Sequence, residues 1–141
     1  MSQLKVREHF ASAVAQLANE TPLAGPIVGG QLRLGGATEV FGPSRPDQVV
    51  GKVAKANRDD VEEAITRARV AQPAWDRAGG TSRAVVLRAM GDALEGATDR
   101  LIPLLTLEAG KTFNDAVAEV REAIDFCRYY AMLAEREFSA P

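Results

Sequence analysis

Between residues 113 and 131 the chain places Phe113, Ala116, Val117, Val120, Ile124, Cys127 and Ala131 at spacings of three and four. Only an α-helix with one buried face has that period, and a helix of this length organises whatever packs against it. The residues before it fix where it starts. Gly110 stands where a helix C-terminus favours a left-handed residue, and Thr112 with Asp115 three positions on has the spacing of an N-terminal capping box. Leu107-Glu108-Ala109-Gly110-Lys111-Thr112 therefore reads as the stop of one helix and the start of the next. Gly-Lys-Thr also ends phosphate-binding loops, but the earlier glycine of such a loop is missing in Leu105-Thr106. Lys111 is better placed as a cation complementing the dipole of the helix that ends there.

The same helix carries a second stripe, Glu119, Glu122, Phe126 and Tyr129, on roughly the opposite side. A helix with two apolar-bearing sides packs between two layers, and this short chain covers one of them readily. The second stripe is thus an exposed patch suited to another part of a larger protein. Arg121 with Asp125, and Asp125 with Arg128, have the spacing of helix-surface ion pairs. Glu122 has Phe126 as its nearest helical companion, so it is either a solvated carboxylate or an anchor for a cation such as a substrate ammonium.

The rest of the chain divides by period. Val6, Phe10, Ala13, Val14 and Leu17 predict an N-terminal helix that ends between Asn19 and Pro22. In residues 23–54 glycines and prolines separate short β-favouring pieces, Ile27-Val28, Gln31 to Leu34, Glu39 to Phe41 and Gln48 to Ala54. Gly29-Gly30 and Gly35-Gly36 supply the positive φ of hairpin turns, and Pro43 and Pro46 bracket an extended turn before Val49. From Asn57, which has Asp60 in capping-box position, the pattern is helical. Val61, Ala64, Ile65, Ala68 and Trp75 form one stripe, with Pro73 kinking its last turns. Gly79-Gly80 breaks that helix. Thr81 or Ser82 caps the next, with Val86, Leu87, Met90 and Leu94 inward, and Gly96 closes it. Thr98-Asp99 opens a fourth, with Leu101, Leu104, Leu105 and Glu108 on one face and Pro103 near its start. The expected fold is mainly α with a short antiparallel β region near residues 26–54.

Chemistry-bearing residues are few. Cys127 is the single cysteine, so no disulfide forms within the chain, and it lies mid-helix on the buried stripe, where nothing activates a thiolate. His9 is the single histidine and has no sequence-fixed partner; no His/Cys cluster has metal-ligand spacing. Gly25 to Gly30 does not follow a strand and open a helix, so the dinucleotide fingerprint is absent. A net charge of −2 and 6% aromatic residues exclude an electrostatic or stacking case for nucleic acid. No apolar stretch is long enough to span a membrane and the N-terminus has no secretory pattern, so a cytoplasmic protein is expected. No catalytic, cofactor-binding or metal-binding residue is expected in these 141 residues.

Taken in order, Pro43 to Val53 (PSRPDQVVGKV), Ala68 to Trp75 (ARVAQPAW), Arg83 to Leu94 (RAVVLRAMGDAL), the Glu-Ala-Gly-Lys-Thr turn and the run Ala118 to Ala131 (AEVREAIDFCRYYA) resemble the N-terminal part of an aldehyde dehydrogenase. The last run most resembles the Δ1-pyrroline-5-carboxylate dehydrogenase branch, including the dehydrogenase half of bifunctional proline utilisation flavoproteins. The resemblance implies a parent that oxidises glutamate γ-semialdehyde to glutamate with NAD through a cysteine thioester. Residues 1–22 lie outside the resemblance and are expected, from their own apolar spacing, to form an N-terminal helical arm. Residues 23–141 would be the first portion of the dehydrogenase domain, with a β region at 23–54 and helices at 57–138. That portion stops before the nucleotide-binding sheet and the catalytic cysteine, so the chain alone is expected to bind no NAD and to be inactive. Its implied partner is the remainder of the domain. Glu122 matches a glutamate that faces the substrate's amino group in that branch. A different expectation is a non-catalytic helical module that self-associates through its exposed apolar surface. Sedimentation at several concentrations separates the two.

Overall fold

The structure is a computed structural model and describes residues 3–138. The elements run α1 (Gln3–Leu17), β1 (Leu23–Ala24), β2 (Ile27–Val28), β3 (Gln31–Leu32), β4 (Thr38–Gly42), β5 (Arg45–Val53), α2 (Arg58–Arg77), α3 (Gly79–Gly96), α4 (Thr98–Ala109) and α5 (Phe113–Phe138). The chain is mainly helical with small sheets, as its periodicity requires.

The antiparallel β region is present. β2 and β3 form a hairpin across Gly29-Gly30, whose φ values of 58° and 78° suit a tight turn that favours glycine at both positions. β4 and β5 pair antiparallel through an irregular register at Phe41. Leu23–Ala24 adds a short parallel edge to β5 that the strand pattern of residues 26–54 did not include. Pro46, expected in the turn, lies inside β5. β1 reaches only Lys52 and Val53 of β5, so the stretch around Pro46 has an open edge where a missing N–H is tolerated.

α5 is the spine. One core cluster joins Ile102 of α4 to Ala116, Val120 and Ile124 of α5, with Phe10, Leu94, Leu101 and Phe113 packed around it. Phe10 rests on Phe113 with ring centroids 4.9 Å apart, which seats α1 against the α4–α5 pair. His9 Nε2 lies 3.3 Å from the Asp99 carboxylate along the same junction, beside an exposed ion pair of Glu20 with Arg100 at 3.0 Å.

The second cluster joins Ala84 of α3 to Ala131 and Ala134 of α5. Here the expected inward face of α3 needs correction. Leu87 and Leu94 pack inward, but Val86 and Met90 are about half exposed, while Gly80, Ala84 and Gly91 are buried. Small residues decide the packing. A Cβ on Gly80 would lie 2.1 Å from the Ala134 carbonyl oxygen, and one on Gly91 would lie 3.3 Å from Cys127 Cβ. The helices approach so closely along this line that bulkier side chains are displaced to its edges.

α2 departs further. Its cap is as expected, with Asp60 N–H donating to Asn57 Oδ1 at 2.8 Å and Asn57 N–H to Asp60 Oδ2 at 3.0 Å. Its apolar stripe, however, is not covered: Val61 and Ile65 are half exposed and α2 has no buried residue. Arg33, just past β3, instead ties it to the β2–β3 hairpin through an ion pair of 3.1 Å with Glu63, whose carboxylate Arg67 also holds within α2 at 2.7 Å. The helix continues through Pro73 to Arg77. Gly79, at φ +73°, redirects the chain and α3 begins at once, so Thr81 and Ser82 fall inside the first turn instead of capping it. Thr98 likewise does not cap α4. Ala97 holds that position, and the Thr98 hydroxyl donates back to the Glu95 carbonyl at 2.7 Å.

Charged side chains clamp α3 to α5. Arg88 makes two hydrogen bonds to Glu135, at 2.7 and 2.6 Å, and Arg128 reaches Glu95 at 2.5 Å. Neither pair expected for Asp125, with Arg121 or with Arg128, forms; Arg128 reaches a carboxylate on the neighbouring helix instead. The hydrogen bond from Arg88 holds the Glu135 carboxyl below its ordinary range. A carboxylate depressed on folding contributes stability above its unfolded pKa and loses that contribution as pH falls through the folded value. Glu135→Gln therefore lowers the melting temperature at pH 7, and the difference from the parent closes as pH drops into the acid range. Paired melts at pH 7 and pH 3 measure it; equal melting temperatures at pH 7 would remove the clamp from the account.

Candidate functional site

The turn from Gly110 to Asp115 places the N-terminus of α5 and with it every side chain of the second stripe. Gly110 is left-handed (φ 66°, ψ 23°) and its N–H returns to the Leu105 carbonyl, which closes α4. Asp115 N–H donates to Thr112 Oγ1 at 3.2 Å, and the hydroxyl donates on to the Asp115 carboxylate at 2.7 Å. This is half of a capping box, since the carboxylate takes the hydroxyl proton instead of the Thr112 N–H. Lys111 does not lie free beside a phosphate site. Its ammonium donates to Glu119 two turns along α5, and that hydrogen bond raises its pKa above the ordinary lysine value. The Gly-Lys-Thr sequence is thus spent on a helix stop, an ion pair and a helix start.

The pairing of Lys111 with Glu119 was missed by the sequence reading, which gave Lys111 to the α4 dipole. Only the direction in which α5 leaves the turn brings the two groups together. Glu122, by contrast with Glu119, is an exposed carboxylate on the stripe without hydrogen bond or ion pair among the described residues. Phe126 and Tyr129, one and two turns further on, are each 51% exposed. The Tyr130 ring lies near both, tilted toward Phe126 at 6.1 Å between centroids and edge-on to Tyr129 at 5.4 Å. The helix therefore presents a carboxylate followed by an aromatic surface, on the side away from Val120, Ile124 and Ala131.

Two apolar grooves flank this face. One, of about 490 Å³, runs between α4 and α5 over Leu101, Leu104, Leu105 and Ala123, with Glu108 and Glu119 also lining it. The other, of about 510 Å³, lies where α2 ends beside α3 and the C-terminal half of α5, and Trp75, Val86, Met90, Tyr130 and Phe138 line it. Arg83 closes the α2–α3 corner there, its guanidinium 5.0 Å from the Phe138 ring centroid and 2.9 Å from Asp76 Oδ1.

The other sequence candidates are placed as follows. Cys127 is half-buried against Gly91, on the α3 side of α5. His9 faces Asp99 on α4. Among the described residues no group of three or more His, Cys, Asp or Glu is disposed to hold a metal ion, and no helix is long and apolar enough to cross a membrane.

This arrangement has known counterparts. Residues 33–140 match the model of the aldehyde dehydrogenase family. The chain is 36% identical over 129 residues to the bifunctional protein PutA of Salmonella typhimurium, covering 92% of this chain and 10% of that protein. It is 30% identical over 127 residues to the 1-pyrroline-5-carboxylate dehydrogenase of Staphylococcus epidermidis, covering 90% of this chain and 24% of that one. A crystal structure of 1-pyrroline-5-carboxylate dehydrogenase from Thermus with bound NAD superposes with a TM-score of 0.89 at 27% identity, over 100% of this chain and 28% of that one. The chain thus spans about a tenth to a quarter of the length of these relatives. A family match over three quarters of the sequence, together with a fold that superposes on a solved dehydrogenase at a TM-score of 0.89, makes the chain a member of the aldehyde dehydrogenase family.

Proposed function

We propose that the chain forms the N-terminal, substrate-side portion of an NAD-dependent Δ1-pyrroline-5-carboxylate dehydrogenase of proline catabolism. In this reading residues 1–22 are a helical arm and residues 23–141 are the first part of the dehydrogenase domain. The chain supplies scaffold and one wall of the substrate pocket, and its partner is the remainder of the domain. The observation that carries the reading is the unpaired Glu122 on the face of α5 opposite its core, in a chain whose relatives include enzymes named for this substrate. A carboxylate one helical turn from the Phe126 ring suits a small aliphatic substrate with an ammonium at one end: the carboxylate holds the charge and the ring covers the methylenes. Glu122 then binds and orients; it moves no proton.

NAD is the oxidant implied by the family, and the described residues do not fit it. The strand-to-helix junction, β5 to α2, runs Ala54-Lys55-Ala56-Asn57 without glycine, and the Asn57 side chain already takes an N–H of the first turn. Gly29 and Gly30 turn a hairpin, and Gly110 closes a helix. Thiolate attack and hydride transfer are accordingly assigned to the remainder of the domain. Cys127 takes no part, being packed in the α3–α5 seam.

Two measurements test this. The pure chain mixed with NAD and glutamate γ-semialdehyde yields no NADH absorbance, and turnover would refute the assignment of chemistry elsewhere. A Thermus dehydrogenase in which residues 23–138 replace the matching segment oxidises the semialdehyde. Introducing Glu122→Gln into that chimera raises KM by roughly tenfold at an unchanged melting temperature, as expected for losing a charge-assisted contact. An unchanged KM would return Glu122 to the solvated surface.

A further inference from the structure

α2 is fastened to the rest of this chain by its charged side. Glu63 and Arg67 lie on one side of the helix, and by the helical period Val61, Ile65, Ala68 and Trp75 lie on the other. The β2–β3 hairpin grips the charged side. Arg33 donates to the Glu63 carboxylate at 3.1 Å, and Gly29 lies so close to the Arg67 guanidinium that a Cβ there would sit 2.7 Å from Cζ. At the far end Arg83 donates to the Asp76 carbonyl oxygen at 3.2 Å and to the Asp76 carboxylate at 2.9 Å. The apolar stripe takes no part in these contacts. Val61, Ile65 and Trp75 are 48%, 48% and 42% exposed, and through Trp75 the stripe runs into the groove bordered by Val86 and Met90. From Val61 to Trp75 alone it measures roughly 20 Å. A surface helix turns its apolar face to the core and its charges to water. α2 does the reverse, so the core it faces is made by residues outside this chain.

We propose that this seam, from Val61 along α2 to Met90 on α3, is a docking face for the remainder of the dehydrogenase domain, which lays an apolar element along it and fixes α2 in place. The whole chain superposes on the Thermus dehydrogenase while amounting to 28% of that protein, and the family match over residues 33–140 includes both helices. A second copy on the seam would take the place of the rest of such a domain. Arg83, at the edge of the groove, is spent on Asp76, so what docks there is aliphatic or aromatic and not an acidic segment. Without that cover α2 has no buried residue to hold it, and it opens readily. The proposal rests on the reading of the chain as the first part of a longer dehydrogenase domain. It does not rest on the substrate role of Glu122, which lies on α5.

Hydrogen exchange of residues 58–77, followed by mass spectrometry of their peptides, tests this in the full chain and in the Thermus chimera. In the chain alone α2 is expected to exchange at least tenfold faster than residues 120–131 of α5, and in the chimera at least tenfold more slowly than in the chain. Val61→Gln/Ile65→Gln leaves the melting temperature of the chain unchanged, because neither side chain is in its core and glutamine favours a helix as well as either. In the chimera the same pair restores fast exchange to α2. Exchange in α2 as slow as in α5 in the chain alone, or equal in chain and chimera, overturns the proposal. So does a chimera indifferent to the glutamine pair, or one that does not fold and so fails to receive the segment. Slowing that follows the chain's own concentration gives the seam to a second copy and overturns it equally. Protection of α2 in a chimera whose KM is indifferent to Glu122→Gln upholds the docking face and refutes the substrate reading alone.

Discussion

Gly80→Ala is expected to lower the unfolding free energy by about 3 kcal/mol, the upper end of what overpacking a close-packed interface costs. The added methyl would sit 2.1 Å from the Ala134 carbonyl oxygen and 2.9 Å from the Phe138 carbonyl carbon. Both are backbone atoms of α5, so no side-chain rotation relieves the clash; α3 must separate from α5. Separation opens the Ala84–Ala131–Ala134 cluster and draws Arg88 away from Glu135. Alanine's better helix propensity returns only about 1 kcal/mol. Gly96→Ala is the control. It lies in the same helix, has nothing within 4 Å of its built Cβ, and is expected to stabilise by about 0.5–1 kcal/mol. Urea unfolding of the two variants beside the parent gives both numbers. A Gly80→Ala protein as stable as the parent would mean that the α3–α5 seam is not the tight contact described.

That contrast also marks what a sequence reader sees and does not see. α5, its Thr112 N-cap and its buried stripe were legible because each rests on residues within a few positions of one another. The same holds for the Asn57–Asp60 box and the Gly29-Gly30 hairpin. The packing face of α3 was not legible. Val86 and Met90 are the more apolar side chains, and hydrophobicity alone nominates them, whereas distance of approach selects Gly80, Ala84 and Gly91. A glycine carries no hydrophobic signal, yet it decides which faces meet. α2 was misread for a related reason: its stripe of Val61, Ile65 and Trp75 is genuine, but a stripe says nothing about whether another element is there to cover it. At the candidate site, Glu122 stood out by its aromatic neighbour and lack of a helical base. The pairing of the neighbouring Glu119 with Lys111 was not legible, because the contact is made across a turn whose exit angle no local pattern specifies.

Gly110→Ala is expected to destabilise the chain by about 2 kcal/mol through two separable causes. The first is conformational: at φ +66° an L-alanine Cβ meets the backbone, at roughly 1 kcal/mol or more for a single residue. The second is steric: the built Cβ lies 2.8 Å from Cγ of Pro43, in the turn that joins β4 to β5. One glycine thus closes α4, starts the path into α5 and lets the β turn rest against both. The double variant Pro43→Ala/Gly110→Ala removes the ring atom in contact while keeping the strained φ. It should recover about half the loss after correction for Pro43→Ala alone, so the cycle divides the cost between its causes. Chemical-shift changes after Gly110→Ala should extend from Leu105 through Thr112 and appear at Ser44 across the contact, because the same turn sets the heading of α5 and the place of Glu122. A loss confined to the α4 terminus, with Ser44 unmoved and no recovery in the double variant, would reduce Gly110 to a helix cap and detach it from the placement of the site.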